Sequence, residues 1–179
     1  ALHEAYADAP DCRGNLYLEA DNIEAMLTTA HQNQLHLALH AIGDRAIDTV
    51  TSTYAWACHK WGKPALANRI EHFIMPSDKA IRQARDNALS ICIQPAFDHY
   101  WGGGEGLYAQ RLGRERATRL NPFKTMLDFG IQLAAGSDSP VTAIDPLAGI
   151  AALVQHSNPD ERMSLNSALA LFISEPHKL

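Results

Sequence analysis

Histidine and carboxylate side chains stand at or just after the ends of short apolar runs along this 179-residue chain. His40 ends the run that begins at Leu35, His72 follows Glu71 in a second run, and Asp138 follows a fourth run within Gly-Ser-Asp-Ser-Pro. Imidazole and carboxylate groups are the usual ligands of a catalytic divalent ion that keeps one position open for water. His40, His72 and Asp138 are therefore candidate zinc ligands. Asp138 is also the candidate catalytic base, which would take a proton from the water and pass it to a leaving amine.

Each of these residues also has a purely structural interpretation when it is considered alone. A single histidine at a strand end more often makes structural hydrogen bonds than binds a metal, and an aspartate beside serine and proline can close an Asx turn. Three such groups at three strand ends favour the metal site. The residues expected to bind substrate are Gln94, at the end of the third run, and His99, Tyr100 and Trp101 in the segment after it.

The apolar runs alternate with helical patterns, which predicts parallel β-α-β units. The expected strands cover 35–40, 68–73, 89–94 and 131–135. The expected helices cover 21–33, 44–61, 77–87, 122–130, 145–155 and 164–174. A long glycine-containing loop is expected around 102–104, followed by a helix near 108. Asp21, Asp44, Ser77 and Ser164 are the expected helix N-caps. Because functional groups of such folds lie at the carboxyl ends of the strands, the candidate ligands would meet at one edge.

Two α/β folds fit this order of elements, a doubly wound open sheet and part of a (β/α)₈ TIM-type barrel. A whole barrel needs about 250 residues and eight strands, so the length by itself favours the doubly wound sheet. The chain lacks a GxGxxG or GxxxxGK[ST] phosphate loop, which argues against a nucleotide-binding enzyme. The polar groups at the strand ends favour the barrel.

Composition excludes several classes of partner. The formal net charge of −5 argues against nucleic acid, and no apolar run reaches the roughly 18–20 residues that span a bilayer, so the expected partner is a small-molecule substrate. Three cysteines without CxxC spacing predict a reducing, cytoplasmic compartment. Of the nine histidines, the four in polar surroundings are expected at the surface: His31, His59, His156 and His177.

Four segments together resemble the amidohydrolase superfamily, and most closely amidohydrolase family 3, the branch that includes N-substituted formamide deformylase-like proteins. The segments are LHAIGDRA at 39–46, RIEH at 69–72, IQP at 93–95 and GSDSPV at 136–141. The resemblance implies that residues 1–179 are the C-terminal half of a hydrolase barrel domain, with strands five to eight and their helices. It assigns His40 and His72 to the metal ligands of strands five and six, and Asp138 to the strand-eight aspartate that contacts metal and moves the proton.

The resemblance further implies hydrolysis of a C–N bond in an amide, formamide or cyclic amide, with metal-activated water as nucleophile and one or two zinc ions in the complete enzyme. The strand-one His-x-His pair and the carboxylated lysine of such enzymes have no counterpart here, so the chain alone is expected to be weakly active or inactive. Its two open sheet edges are expected to be covered by the N-terminal half of the barrel or by self-association. The alternative is a non-catalytic α/β binding or assembly module with structural histidines.

Overall fold

A four-stranded parallel sheet forms the centre of the computed structural model, which describes residues 1–64 and 67–178. The strands are β1 (Ala38–Ala41), β2 (Arg69–His72), β3 (Ser90–Ile93) and β4 (Gln132–Ala135). The helices are α1 (Ala20–Gln32), α2 (Asp44–Trp61), α3 (Asp78–Asp86), α4 (Pro95–Trp101), α5 (Leu107–Leu112), α6 (Arg114–Ala117), α7 (Phe123–Asp128), α8 (Pro146–Val154) and α9 (Leu165–Ile173), with 3₁₀ turns at Pro159–Glu161 and Glu175–Lys178.

The strands lie side by side in sequence order, β1-β2-β3-β4, and every pair is parallel. A doubly wound sheet reverses its strand order at a switch point, and the described part of the chain contains no such reversal. The prediction of an α/β fold built as a partial TIM-type barrel is therefore confirmed. β1 and β4 each pair with a single strand within the described ranges, so both edges of the sheet are open.

The two faces of the sheet differ in chemistry because side chains alternate along each strand. The strand register aligns Leu39, Ile70, Ile91 and Leu133 in one row. This row is buried in a core shared with the helices, which includes Ile23, Ile47, Tyr54, Phe123 and Leu153. The alternate row of His40, Glu71, Cys92 and Ala134 lies on the opposite face. The face away from the main helical core therefore carries the polar groups.

A second, smaller apolar cluster lies beside the carboxyl ends of the strands. It joins Leu2 of the N-terminal segment to Ile74, Phe97, Leu112 and Leu120. The same segment is held by a hydrogen bond from Arg116 Nη2 to the carbonyl of Ala5, at 2.8 Å. The carboxyl end of the sheet, where His40 lies, is thus partly covered by the N-terminal segment and by residues 112–120.

Several local predictions need correction. Glu19, not Asp21, caps α1, with Asn22 completing the capping box. Gly43, not Asp44, precedes α2, and Asp44 is the first residue of that helix, where a negative charge is favourable. The caps predicted at Ser77 and Ser164 are confirmed.

The predicted loop after β3 was also wrong. Residues 95–101 form helix α4, because Pro95 occupies the first helical turn, where its fixed φ favours a helix and its missing N–H is not needed. His156, expected at the surface, is buried: its Nε2 lies 3.1 Å from the carbonyl oxygen of Asn121, and its ring packs edge-on against Phe123.

None of the helices within the described ranges has both the length and the apolar composition required to cross a bilayer.

Candidate metal centre

Two histidines from adjacent strands come together at the carboxyl end of the sheet. His40 lies in β1 and His72 ends β2, and their ring centroids are 4.4 Å apart in an edge-on arrangement. The strand register pairs His40 with Glu71 and leaves His72 opposite Ala41. The parallel pairing of β1 and β2 therefore brings together two residues that are 32 positions apart in the sequence.

The backbone at His72 explains how its ring reaches His40. In a regular strand, a residue in register with buried Ala41 would face the helices, on the side opposite to His40. His72 and Phe73 instead have positive φ angles of 76° and 54°. Such conformations are strained for residues with a side chain and are common at functional sites. The left-handed turn ends β2 and allows the His72 ring to lie beside His40.

Two further side chains hold the His72 ring. The Nδ1 atom of His72 lies 2.7 Å from Oε1 of Gln94. Phe97, on the first turn of α4, stacks on the ring with a centroid distance of 5.9 Å and an interplanar angle of 13°. His72, Gln94 and Phe97 are all buried, so the ring is restrained both by a hydrogen bond and by packing.

Asp138 lies in the turn after β4 and is exposed, with a φ of 56°. In this turn the backbone N–H of Ser139 donates to Oγ of Ser137, at 3.3 Å. An Asx turn at Asp138 would need the backbone N–H of residue 140, which Pro140 lacks, so this turn is closed by the Ser137 side chain and not by Asp138. Burial lowers the pKa of the His40 imidazole, and the negative charge of Asp138 opposes that lowering.

The charge state of His40 follows from opposing effects. Burial lowers the pKa of His40 most strongly and the neighbouring His72 lowers it further, whereas Asp138 and Glu71 raise it. The net result is a pKa below the ordinary histidine value. His40 is therefore neutral at physiological pH, and a neutral imidazole has the lone pair that metal binding requires.

A polar pair and a thiol lie beside the histidines, on the face of the sheet that carries His40. Arg69 Nε donates to Glu71 Oε1 at 2.6 Å, and Glu71 is the register partner of both His40 and Cys92. Burial, and then the negative charge of Glu71, raise the pKa of the Cys92 thiol to about 12. Sequence reasoning assigned no role to Glu71 or Cys92, although their alternation with buried neighbours could have placed them on the His40 face.

The donor groups match the chemistry of a divalent transition ion, which favours imidazole nitrogen and carboxylate oxygen. Within residues 1–64 and 67–178, however, no group of three or more His, Cys, Asp or Glu side chains is arranged to hold a metal. The structure joins His40 to His72 and leaves Asp138 as a neighbouring charge. The ligand roles of these three residues, and the proton-transfer role of Asp138, remain predictions.

The residues predicted to bind substrate are divided between two environments. His99 and Tyr100 are exposed on α4 and pack against each other, with ring centroids 5.1 Å apart. Trp101 packs against Phe97 at 4.6 Å and belongs to the smaller apolar cluster. Gln94 contacts His72 directly. The structure thus brings one of the four against the histidine pair, and their substrate-binding role is untested.

A cavity of about 790 Å³ borders His40. It lies between the N-terminal segment, β1 and α5, and its lining is mainly apolar, with Tyr6, Tyr17, Met75 and Tyr108 among the larger side chains. Arg111 and Asp8, which pair with each other, also line it. The cavity is large enough for a small organic molecule.

Comparison with known protein families gives a match over the whole chain. The model of the amidohydrolase family matches residues 1–179. Putative amidohydrolase YtcJ of Bacillus subtilis (strain 168) is 29% identical over 183 residues, which cover 99% of this chain and 33% of the relative. Protein LONG AFTER FAR-RED 3 of Arabidopsis thaliana is 29% identical over 177 residues, covering 94% and 30%. N-substituted formamide deformylase of Arthrobacter pascens is 25% identical over 170 residues, covering 90% and 30%.

Two solved structures share the fold. An uncharacterized metal-dependent hydrolase from Pyrococcus furiosus superimposes with a TM-score of 0.83 at 30% identity, covering 96% of this chain and 34% of the other. A second, from Pyrococcus horikoshii OT3, has a TM-score of 0.81 at 23% identity, covering 96% and 35%. The chain spans about a third of the length of the curated relatives it matches.

Proposed function

Because the chain belongs to the amidohydrolase family, whose model matches all of residues 1–179, we propose that it contributes part of the active site of a metal-dependent hydrolase that cleaves C–N bonds. The observation that carries this proposal is the contact between His40 and His72, with rings 4.4 Å apart at the carboxyl ends of neighbouring parallel strands. The metal-dependent hydrolase whose structure is 30% identical to this chain supports the same function.

We assign His40 and His72 as ligands of a divalent ion, with zinc as the proposed metal, and Asp138 as a third ligand and proton carrier. A bound divalent ion supplies Lewis acidity, which polarises a carbonyl and activates water for attack. The Asp138 carboxylate would accept a proton from the attacking water and return it to the leaving nitrogen. The left-handed turn at His72 and the neutral state of His40 prepare the two imidazoles for metal binding.

The proposed substrates are small amides, formamides or cyclic amides. The name of the Arthrobacter pascens relative, N-substituted formamide deformylase, supports a C–N bond next to a carbonyl. The mainly apolar cavity beside His40 offers space for the organic part of such a molecule.

The proposed site is completed by groups outside these residues. We propose that residues 1–179 are the C-terminal half of the barrel domain, and that the remaining barrel strands, or a second copy of the chain, cover the open edges of β1 and β4. The chain by itself is then expected to bind zinc weakly and to hydrolyse amides slowly or not at all.

Zinc binding tests the proposal directly. The 179-residue chain is titrated with zinc in competition with a colorimetric chelator, alongside the variants His40→Ala and His72→Ala and the control His59→Ala, which removes an exposed histidine near the end of α2. We expect both site variants to lose most of the zinc affinity and the control to keep it. Equal affinity in all four proteins would refute the metal site and favour a binding or assembly module.

Hydrolysis provides a second test. N-substituted formamides are incubated with the zinc-loaded chain, and release of formate is measured. We expect turnover far below the roughly 1–10³ per second of ordinary enzymes, because part of the ligand set is missing. Turnover within that range would contradict the claim that further ligands are needed.

A further inference from the structure

Both polar side-chain atoms of Gln94 make hydrogen bonds, and one of these bonds is to His72, a proposed metal ligand. Its Oε1 lies 2.7 Å from Nδ1 of His72, and its Nε2 donates to the carbonyl oxygen of Cys92 at 3.3 Å. Gln94 and His72 are each 5% exposed. This amide therefore binds the ring of His72 to the backbone of β3, away from bulk water.

The direction of this hydrogen bond determines which nitrogen of His72 carries the proton. The carbonyl of Cys92 can only accept, so the NH₂ group of Gln94 must face it and the amide oxygen must face His72. The amide oxygen can also only accept, so Nδ1 of His72 must be the donor. In a neutral imidazole with the proton on Nδ1, the free lone pair is on Nε2.

We propose that Gln94 is a positioning residue, which holds His72 in the form protonated on Nδ1 and so makes Nε2 the metal-binding atom. The inference rests on the proposed function, in which His72 is a metal ligand. Phe97 assists by stacking on the ring at 5.9 Å, which opposes rotation away from this hydrogen bond. Gln94 thus acts through His72, and this role accounts for both of its hydrogen bonds without contact with a substrate.

Such partners of ligating histidines matter for metal affinity, because they fix the tautomer and the direction of the ring. Loss of one typically lowers metal affinity about 10–100-fold. Gln94→Leu removes the acceptor at similar volume. Gln94→Glu keeps an oxygen acceptor for Nδ1, although its second oxygen would face the carbonyl of Cys92, so this variant should retain the tautomer at some loss of stability.

The tautomer is measured by long-range ¹H–¹⁵N NMR on the whole chain labelled with ¹⁵N-histidine, with the His72 signals assigned from the His72→Ala spectrum. We expect the wild-type protein to have a protonated Nδ1 and an unprotonated Nε2, and addition of zinc to shift the Nε2 signal. Gln94→Leu should show the Nε2-protonated form and bind zinc about 10–100-fold more weakly, whereas Gln94→Glu should behave more like the wild type.

Gln132→Leu is the matched control, because Gln132 lies on β4 and its Nε2 donates to the carbonyl of Lys178 rather than to a histidine. It should change neither the tautomer nor the zinc affinity. A wild-type His72 protonated on Nε2 overturns the inference, whatever the variants do and even if Gln94→Leu does not fold. An unchanged tautomer and zinc affinity in a folded Gln94→Leu also overturns it.

The His72→Ala variant separates this inference from the proposed function. Zinc affinity that falls in His72→Ala but not in Gln94→Leu overturns the role of Gln94 and leaves the metal site intact. Zinc affinity that is unchanged in His72→Ala overturns both.

Discussion

Asp98 is a buried carboxylate whose hydrogen bonds connect helix α4 to the loop after α8. Its Oδ2 accepts a hydrogen bond from the backbone N–H of Ser157 and its Oδ1 accepts one from the Ser157 hydroxyl, both at 2.8 Å. The same Oδ1 lies 3.5 Å from Nε2 of the buried His156. Asp98 directly follows Phe97, whose ring stacks on His72, so the connection also supports the candidate metal centre. We predict that Asp98→Ala strongly destabilises the fold.

The expected magnitude follows from the two hydrogen bonds. A hydrogen bond to a charged group contributes about 1.5–3 kcal/mol, so loss of both bonds in Asp98→Ala should lower the free energy of unfolding by about 3–6 kcal/mol. Ser157→Ala removes only the hydroxyl donor and should lower it by about 1.5–3 kcal/mol. With a urea m-value of about 2 kcal/mol per M, in the middle of the usual range, the urea midpoint of Asp98→Ala should fall by about 1.5–3 M.

The assay is urea unfolding followed by far-UV circular dichroism. Asp86→Ala is the matched control, because Asp86 is an exposed carboxylate that contacts Arg85 at the end of α3. Surface substitutions of this kind usually change stability by less than about 0.5 kcal/mol. If Asp98→Ala is no more destabilising than Asp86→Ala, or if Ser157→Ala costs as much as Asp98→Ala, the two-bond account of this carboxylate is refuted.

Three further predictions concern other parts of the fold. Tyr54→Phe removes a buried hydroxyl that donates to the carbonyl oxygen of Leu37 at 2.8 Å. Calorimetry should show that the free energy of unfolding falls by about 1 kcal/mol, which corresponds to a melting temperature lower by about 2–4 °C. An unchanged melting temperature would contradict this prediction. Gly43→Ala would place a methyl group 2.2 Å from the carbonyl oxygen of Ala1. Because the N-terminal segment would have to move away from α2, amide hydrogen exchange in that segment should become faster. Unchanged exchange rates would count against the close approach of Ala1 to Gly43. Because burial raises the pKa of the Cys92 thiol to about 12, iodoacetamide at pH 8 should modify the exposed Cys12 long before Cys92. Unfolding in urea should abolish this difference in rate, since an unfolded cysteine has a pKa near 8.5. Equal rates of modification of Cys12 and Cys92 in the folded chain would refute the prediction.

Local patterns in the sequence were enough to predict much of the fold. The alternation of apolar runs with helical spacing identified four parallel strands, and the N-caps at Ser77 and Ser164 followed from residue type. The motifs around His40 and His72 led to the amidohydrolase family, which the family model confirms. These features are predictable because neighbouring residues in the chain determine periodicity, capping and strand ends.

Other local predictions were wrong because the same short stretch of sequence is compatible with more than one structure. The glycines at 102–104 suggested a long loop after β3, whereas Pro95 begins a helix that carries His99 and Tyr100 to an exposed face. His156 has polar neighbours in the sequence and yet is buried, because Asn121, 35 residues away, supplies a carbonyl for its ring.

Sequence alone determined which residue types stand at the strand ends, and thus which chemistry this chain can offer. Tertiary structure decided the order of the strands, which separates a partial barrel from a doubly wound sheet. It also decided that the left-handed turn at His72 brings its ring to His40, and that Gln94, 22 residues further along the chain, binds its Nδ1. The physical reason is that strand register and side-chain contacts depend on packing between distant segments, whereas periodicity and capping depend only on residues within a few positions of one another.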